Sequence, residues 1–71
     1  MDTSQYIKLC LVKKGLTVTK LAELTKQSQP NLSNKLIRNN FQTSELNKIA
    51  NILDADLKIQ FIDRTTGEPI V

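Results

Sequence analysis

The chain has 71 residues, a mass of 8.0 kDa and an apolar share of 39%, which limits it to one small domain with a thin core. It has no histidine and one cysteine, so the commonest general base, a zinc site and an internal disulfide are excluded. We therefore expect a protein that is not an enzyme, holds no metal or cofactor and works in a reducing compartment.

The charge is distributed unevenly along the chain. The first 50 residues hold eight basic and three acidic residues, a net +5, whereas the last 21 hold two basic and four acidic residues, a net −2. This asymmetry indicates an anionic partner for the front of the chain only. No apolar stretch is long enough to span a membrane and no secretory leader is visible, so we expect a cytoplasmic protein.

The first segment with helical periodicity predicts a helix that begins at Thr3 or Ser4 and ends near Lys14. Threonine and serine are good N-cap residues, and Gly15 stands where a left-handed C-cap is wanted. The residues that recur at the spacing of one helix face, and so would face the core, are Ile7, Cys10 and Leu11. The helix is apolar on a second side as well, through Tyr6, Leu9 and Val12.

Two shorter helices follow, each introduced by an N-cap residue. One is predicted from Thr17 to near Lys26. The other begins after Ser28 and has Pro30 in its first turn, where a missing N–H donor costs nothing. The small side chain of Ala22 allows the two helices to approach closely. Two short helices joined by about three residues match the helix-turn-helix plan, whose second helix enters the major groove of DNA.

A fourth helix is predicted from Thr43 to Leu53, after which the period of the apolar residues changes. Alternation of apolar and polar side chains predicts a strand over 57–63. A turn is expected at 64–67, and 68–71 is predicted to return as a short edge strand because it contains Pro69. We expect one domain, 1–71, with a helical part at 1–55 and a β extension at 56–71.

The segment 16–33, LTVTKLAELTKQSQPNLS, resembles the Cro and phage-repressor type of helix-turn-helix protein. The segments 34–41 and 45–53 are similar to that family's loop and fourth helix, and the resemblance covers residues 5 to 54. It implies a mostly α fold, with four to five short helices in a repressor-like DNA-binding bundle, here followed by a C-terminal β-hairpin or strand. It also implies that a recognition helix at about 28–37 reads the major groove.

Site residues follow from the resemblance by position. The recognition helix would present its base-contacting residues Gln29, Pro30, Asn31 and Asn34. Glutamine and asparagine pair with adenine N6 and N7, and a proline can touch a thymine methyl group. The alternative for Asn39 and Asn40 is a turn without a DNA contact, and the alternative for Lys35 and Arg38 is a solvated helix face without a phosphate contact. The residues expected to contact phosphates are Thr17, Thr19, Ser28, Lys35, Arg38, Asn39 and Asn40.

Three positions depart from the family's pattern. Lys26 stands where a turn glycine is usual, so either a left-handed lysine costs about 1 kcal/mol there or the turn differs. Thr25 stands where an aliphatic residue is usual, which predicts a slightly rotated second helix. Val18 stands where a glutamine often binds phosphate.

The predicted strand needs a partner for its edge backbone groups. Pairing with the same strand of a second chain, in a two-fold dimer, supplies one; the alternative is a hairpin that only covers the monomer. The residues expected at the dimer interface are Leu57, Ile59, Phe61 and Ile62. The predicted function is a bacterial or phage transcriptional regulator, such as a repressor, that binds an inverted repeat of double-stranded DNA as a homodimer. The alternative is a protein-binding adaptor or antitoxin with the same fold.

Overall fold

The computed structural model describes all 71 residues and contains four α-helices. They are α1 (Thr3–Lys14), α2 (Val18–Leu24), α3 (Gln29–Arg38) and α4 (Thr43–Ile52). The four predicted helices are confirmed, although α2 ends two residues earlier and α4 one residue earlier than expected. None of the helices has the length and apolar character that a membrane crossing requires.

The start of α1 is fixed by a reciprocal pair of hydrogen bonds. The Asp2 carboxylate accepts from the Gln5 backbone N–H at 2.8 Å, and the Gln5 side-chain oxygen accepts from the Asp2 backbone N–H at 3.0 Å. This capping box makes Asp2 the N-cap, so the predicted caps Thr3 and Ser4 were wrong and both residues lie inside the helix. The predicted C-cap is confirmed, because Gly15 is left-handed with φ 68°.

The core is built from the apolar stripes of all four helices. Leu21 of α2 and Leu32 of α3 are fully buried at its centre, and α2 packs against both α3 and α4. Ala22 is buried between these elements, as its small side chain allows, and Cys10 is partly buried against the same cluster. The buried residues that form this cluster are Ile7, Leu11, Leu21, Ala22, Leu32, Leu36, Ile49 and Leu53.

No strand forms in the C-terminal tail, which we define as residues 57–71. Its only ladder contact is one antiparallel bridge between Ile62 and Pro69. The turn predicted at 64–67 is present and is stabilised by the Asp63 carboxylate, which accepts from the Thr65 N–H at 2.7 Å. The predicted strand over 57–63 and its hairpin with 68–71 are not confirmed as strands. The Asp63 N–H donates to the Glu68 carbonyl at 2.8 Å and the Ile70 N–H to the Phe61 carbonyl at 2.9 Å, but no backbone–backbone hydrogen bond involves residues 57–60. Alternating side chains do not make a strand without a neighbouring strand to pair with.

The tail adds no buried side chain to the core. Every residue from Lys58 to Val71 is exposed except Asp63, which is half-buried, and Leu57 is half-buried where the tail leaves the bundle. The molecule measures 42 Å along its longest axis, compared with 24 and 20 Å across it. The tail leaves several apolar side chains in solvent, where a second molecule can reach them.

Candidate nucleic-acid interface

The unit made by α2, the connecting turn and α3 is fixed by two side-chain caps. The Thr17 hydroxyl oxygen accepts from the Lys20 N–H at 3.1 Å at the start of α2. The Ser28 hydroxyl oxygen accepts from the Asn31 N–H at 3.2 Å at the start of α3, and Pro30 lies in the first turn of that helix. Each cap satisfies a backbone donor that the helix itself leaves without an acceptor. Both predicted caps are confirmed.

The turn between α2 and α3 contains a left-handed lysine. Lys26 has φ 57°, so the chain keeps the turn geometry expected there although a side chain replaces the usual glycine. The next residue closes the turn, because the Gln27 backbone N–H donates to the Ala22 carbonyl at 3.0 Å. For an L-residue this conformation costs about 1 kcal/mol.

A chain of side-chain hydrogen bonds connects the turn to the first half of α3. The half-buried Thr25 hydroxyl donates to the Leu21 carbonyl at 2.8 Å and accepts from the Gln27 side-chain amide at 2.8 Å. The Gln27 side-chain oxygen accepts from the Asn31 side-chain amide at 2.9 Å. Thr25 is therefore satisfied at a position where an aliphatic residue was expected. The network also orients the amide of Asn31, a residue predicted to contact bases.

The face of α3 opposite the core is exposed and carries both polar and apolar side chains. Leu32 and Leu36 point into the core, so residues about half a turn away from them point outward. The exposed outward positions follow the spacing i, i+4 and i+7 of one helix face and are occupied by Pro30, Asn34 and Ile37, with the half-buried Ser33 at the side of this face. Gln29 is exposed at the start of the helix. Ile37, a residue that is 81% exposed, is not among the site residues predicted from the sequence.

The two basic residues of α3 differ in their surroundings. The Lys35 ammonium forms an ion pair with the Glu45 carboxylate of α4, and both side chains are about 70–75% shielded from solvent, with 30% and 26% exposed. The hydrogen bond from Lys35 is the main cause that holds the pKa of Glu45 below its ordinary value. Arg38 is exposed in the last turn and forms no salt bridge within the chain.

An open groove runs between α3 and α4. Lys35 and Glu45 lie across it from each other, and the Gln27–Asn31 hydrogen bond lies on its wall. Gln27, Glu45 and Lys48 are not among the site residues predicted from the sequence. The proximity of Glu45 and Lys48 to α3 depends on how α4 packs. The residues that line the groove are Thr25, Gln27, Asn31, Lys35, Glu45, Lys48 and Ile49.

The two asparagines that follow α3 have different environments. Asn39 is the left-handed C-cap, with φ 53°, and its side-chain oxygen accepts from both the backbone N–H and the hydroxyl of Ser4, at 2.9 and 3.1 Å. Ser4 is buried, so this contact joins the start of α1 to the end of α3. Asn40 is exposed and makes only a backbone hydrogen bond, to the Lys35 carbonyl at 3.1 Å. The expected turn at this pair is therefore present.

Comparison with known protein families gives one match. The sequence pattern of the Cro/C1-type HTH (helix-turn-helix) DNA-binding domain matches residues 7–58, which include all of α2, α3 and α4 and most of α1. A search of curated proteins and a search of solved structures each find no match.

Proposed function

The chain belongs to the Cro/C1-type helix-turn-helix DNA-binding domain family, and we propose that it is a sequence-specific transcriptional regulator that reads DNA with α3. The observation that carries the proposal is the exposed surface of α3, which presents the three amide side chains Gln29, Asn31 and Asn34 and belongs to a matched DNA-binding fold. A helix of this kind enters the major groove, and its N-terminal residues contact base edges.

The proposed base contacts lie in the first half of α3. Gln29 and Asn34 are exposed amides that can accept from adenine N6 and donate to adenine N7. Asn31 uses one amide hydrogen on Gln27, which leaves its oxygen and its second hydrogen for a base. Pro30 has no N–H and is suited to apolar contact with a thymine methyl group.

The proposed phosphate contacts surround this face. Arg38 is the strongest candidate, because it is exposed and has no acidic partner in the chain. The Lys35 ammonium must break its ion pair with Glu45, or contact Glu45 and a phosphate at the same time, to neutralise a phosphate. Asn39 has already committed its oxygen to Ser4, which leaves its amide hydrogens as donors. The remaining proposed contacts are Thr17, Thr19, Ser28 and Asn40.

Assembly as a homodimer on an inverted repeat is the second part of the proposal. The C-terminal tail exposes Ile59, Phe61 and Ile62, with 61%, 79% and 51% of each side chain in solvent. Backbone groups of residues 57–60 have no backbone partner within the chain, so a second copy can supply both the apolar contact and the missing hydrogen bonds. In this proposal the tail becomes a strand, with Leu57 alongside these three residues, only when two copies meet.

Selection of bound duplexes from a random library tests the proposed function. The expected result is one enriched sequence with two related half-sites in inverted orientation, about one helical turn apart. Enrichment of a single half-site would support sequence-specific binding and would contradict binding to an inverted repeat. If no sequence is enriched, the proposed function is wrong and a protein-binding adaptor or antitoxin becomes the better interpretation.

Light scattering at tens of micromolar tests the dimer separately. We expect twice the 8.0 kDa chain mass for the wild type and the single-chain mass for Ile59→Lys, because the lysine charge opposes apolar pairing of the tails. Val12→Lys, a matched change at an exposed apolar site of α1, should leave the dimer intact. A wild-type mass of one chain would contradict dimerisation through any surface under these conditions.

A further inference from the structure

An isoleucine lies on the face of α3 that points away from the core. Ile37 is 81% exposed, although it belongs to a helix whose other aliphatic residues, Leu32 and Leu36, are buried in the core. An aliphatic side chain in this position gains none of the free energy that burial in the core would give it. No contact within the chain shields Ile37, so its surroundings do not explain why the residue is apolar.

Two of the residues that we propose contact bases, Pro30 and Asn34, lie on the same side of α3 as Ile37. Ile37 lies one helical turn beyond Asn34 and Ser33, at i+3 and i+4, and two turns beyond Pro30, at i+7. Seven residues of helix span about 10 Å, which corresponds to about three base-pair steps of DNA. Pro30 and Ile37 are therefore apolar groups at the two ends of the same outward face, with polar residues between them.

We propose that Ile37 contacts the C5-methyl group of a thymine in the major groove and so selects an A·T pair at one end of each half-site. The inference rests on the proposed function, because it requires α3 to lie in that groove. The thymine methyl is the only apolar group that base pairs present there, and it is the group that an exposed aliphatic side chain recognises. Contact with it would bury part of Ile37 and remove that area from water.

The charge beside Ile37 supports DNA rather than an apolar protein surface as the occupant. The next residue, Arg38, is exposed and without an acidic partner, and Asn40 is exposed two residues later. A guanidinium next to the methyl contact would meet the phosphate backbone at the groove edge. An apolar protein partner would have to desolvate that charge, which is costly unless it is paired.

Replacement of single thymines by deoxyuridine tests the proposal, because deoxyuridine lacks only the C5-methyl group. The probe is the duplex enriched from the random library, with each thymine replaced in turn, and the readout is binding affinity. We expect the wild type to lose about fourfold at the Ile37 position, the value of about one buried methyl group. Ile37→Ala should bind the unmodified duplex about as weakly as wild type binds the duplex with deoxyuridine at the Ile37 position. Its own affinity should not change when deoxyuridine replaces that thymine.

Two matched variants make the test specific. Val12→Ala removes an equally exposed aliphatic side chain from α1 and should keep the wild-type deoxyuridine profile. Pro30→Ala should still lose affinity when deoxyuridine replaces the thymine at the Ile37 position.

If duplexes are enriched and Ile37→Ala has the same deoxyuridine profile as wild type, the inference is wrong while the proposed function stands. If Ile37→Ala instead changes the mass of the protein in solution, Ile37 contacts protein and the inference is equally wrong. If no duplex is enriched, both fail.

Discussion

The ammonium group of Lys35 on α3 is paired with the carboxylate of Glu45 on α4, across the groove that borders the proposed DNA-binding face. A lysine predicted to neutralise a phosphate is thus already neutralised by an acidic residue of its own chain. In the proposed complex, Glu45 would therefore compete with DNA for Lys35. The strength of that competition can be measured.

Glu45→Gln should strengthen DNA binding on all duplexes alike, because it removes a negative charge near the phosphates and releases Lys35. If Lys35 then takes up a phosphate, the slope of log K against log salt should steepen by about 0.9. Fluorescence anisotropy at several salt concentrations measures both effects. Asp56→Asn removes the same charge from an exposed site beyond α4 and should leave the slope unchanged. An unchanged slope for Glu45→Gln would mean that Lys35 stays off the phosphates.

The same ion pair should make folding stability depend on pH. The pKa of Glu45 is lowered in the folded chain, mainly by the hydrogen bond from Lys35, so the folded state favours the charged carboxylate. The stability that the charged Glu45 carboxylate adds to the fold is fully present above the unfolded carboxyl pKa, about 4.3. It is lost as the pH falls through the lower pKa of the folded state. Urea unfolding should show wild type more stable than Glu45→Gln near neutral pH, and the gap should close in acid. A gap that does not narrow as the pH is lowered from neutral to below the unfolded carboxyl pKa, about 4.3, would contradict the assignment.

Asn39→Ala should destabilise the fold by about 1–3 kcal/mol, because the backbone N–H and hydroxyl of buried Ser4 would lose their acceptor. Asn40→Ala is the matched control: its side chain makes no hydrogen bond within the chain, so its midpoint in urea should stay close to wild type. Asn39→Gly accepts the left-handed backbone and separates backbone strain from the lost hydrogen bonds. If Asn39→Ala unfolds at the same urea concentration as Asn40→Ala, the Ser4 contact contributes nothing.

Local signals allowed most of the helical architecture to be predicted. Thr17, Ser28 and Gly15 mark helix ends through hydrogen bonds that involve residues at most a few positions away. Helix caps depend on the cap residue and its immediate neighbours, so the sequence specifies them directly. Asp2 was missed because serine and threonine next to it are equally good caps, and only the reciprocal bond with Gln5 decides between them.

Contacts between distant residues could not be read from the sequence. Asn39 meets Ser4 across 35 positions and Lys35 meets Glu45 across ten, so both contacts depend on how the helices pack. The apolar–polar alternation over 57–63 predicted a strand, but the chain pairs only residues 61–63, with 68–70, and supplies no backbone partner for 57–60. Ile37 is apolar and exposed, and periodicity identifies an outward position without indicating why an apolar residue occupies it.

Lys26→Gly should stabilise the fold by about 0.5–1 kcal/mol, because glycine adopts φ 57° without the clash that a side chain introduces. The gain is smaller than the full strain, since glycine also makes the unfolded chain more flexible. Lys26→Ala keeps the strain and removes the charge, so it should show no such gain. Thermal unfolding of the three proteins provides the comparison, and a lower midpoint for Lys26→Gly than for Lys26→Ala would refute strain at this turn.

The central claim is that Gln29 at the start of α3 reads a base while Arg38 at its end holds the phosphate backbone. Its most direct test is the affinity of Gln29→Ala and Arg38→Ala for the selected duplex and for each of its single-base variants. We predict that Gln29→Ala loses about 1–3 kcal/mol on the selected duplex and relaxes base preference at one position. Arg38→Ala should weaken binding to every duplex by the same factor and reduce the salt slope. Equal losses on all duplexes for both variants, with base preference unchanged, would contradict the account.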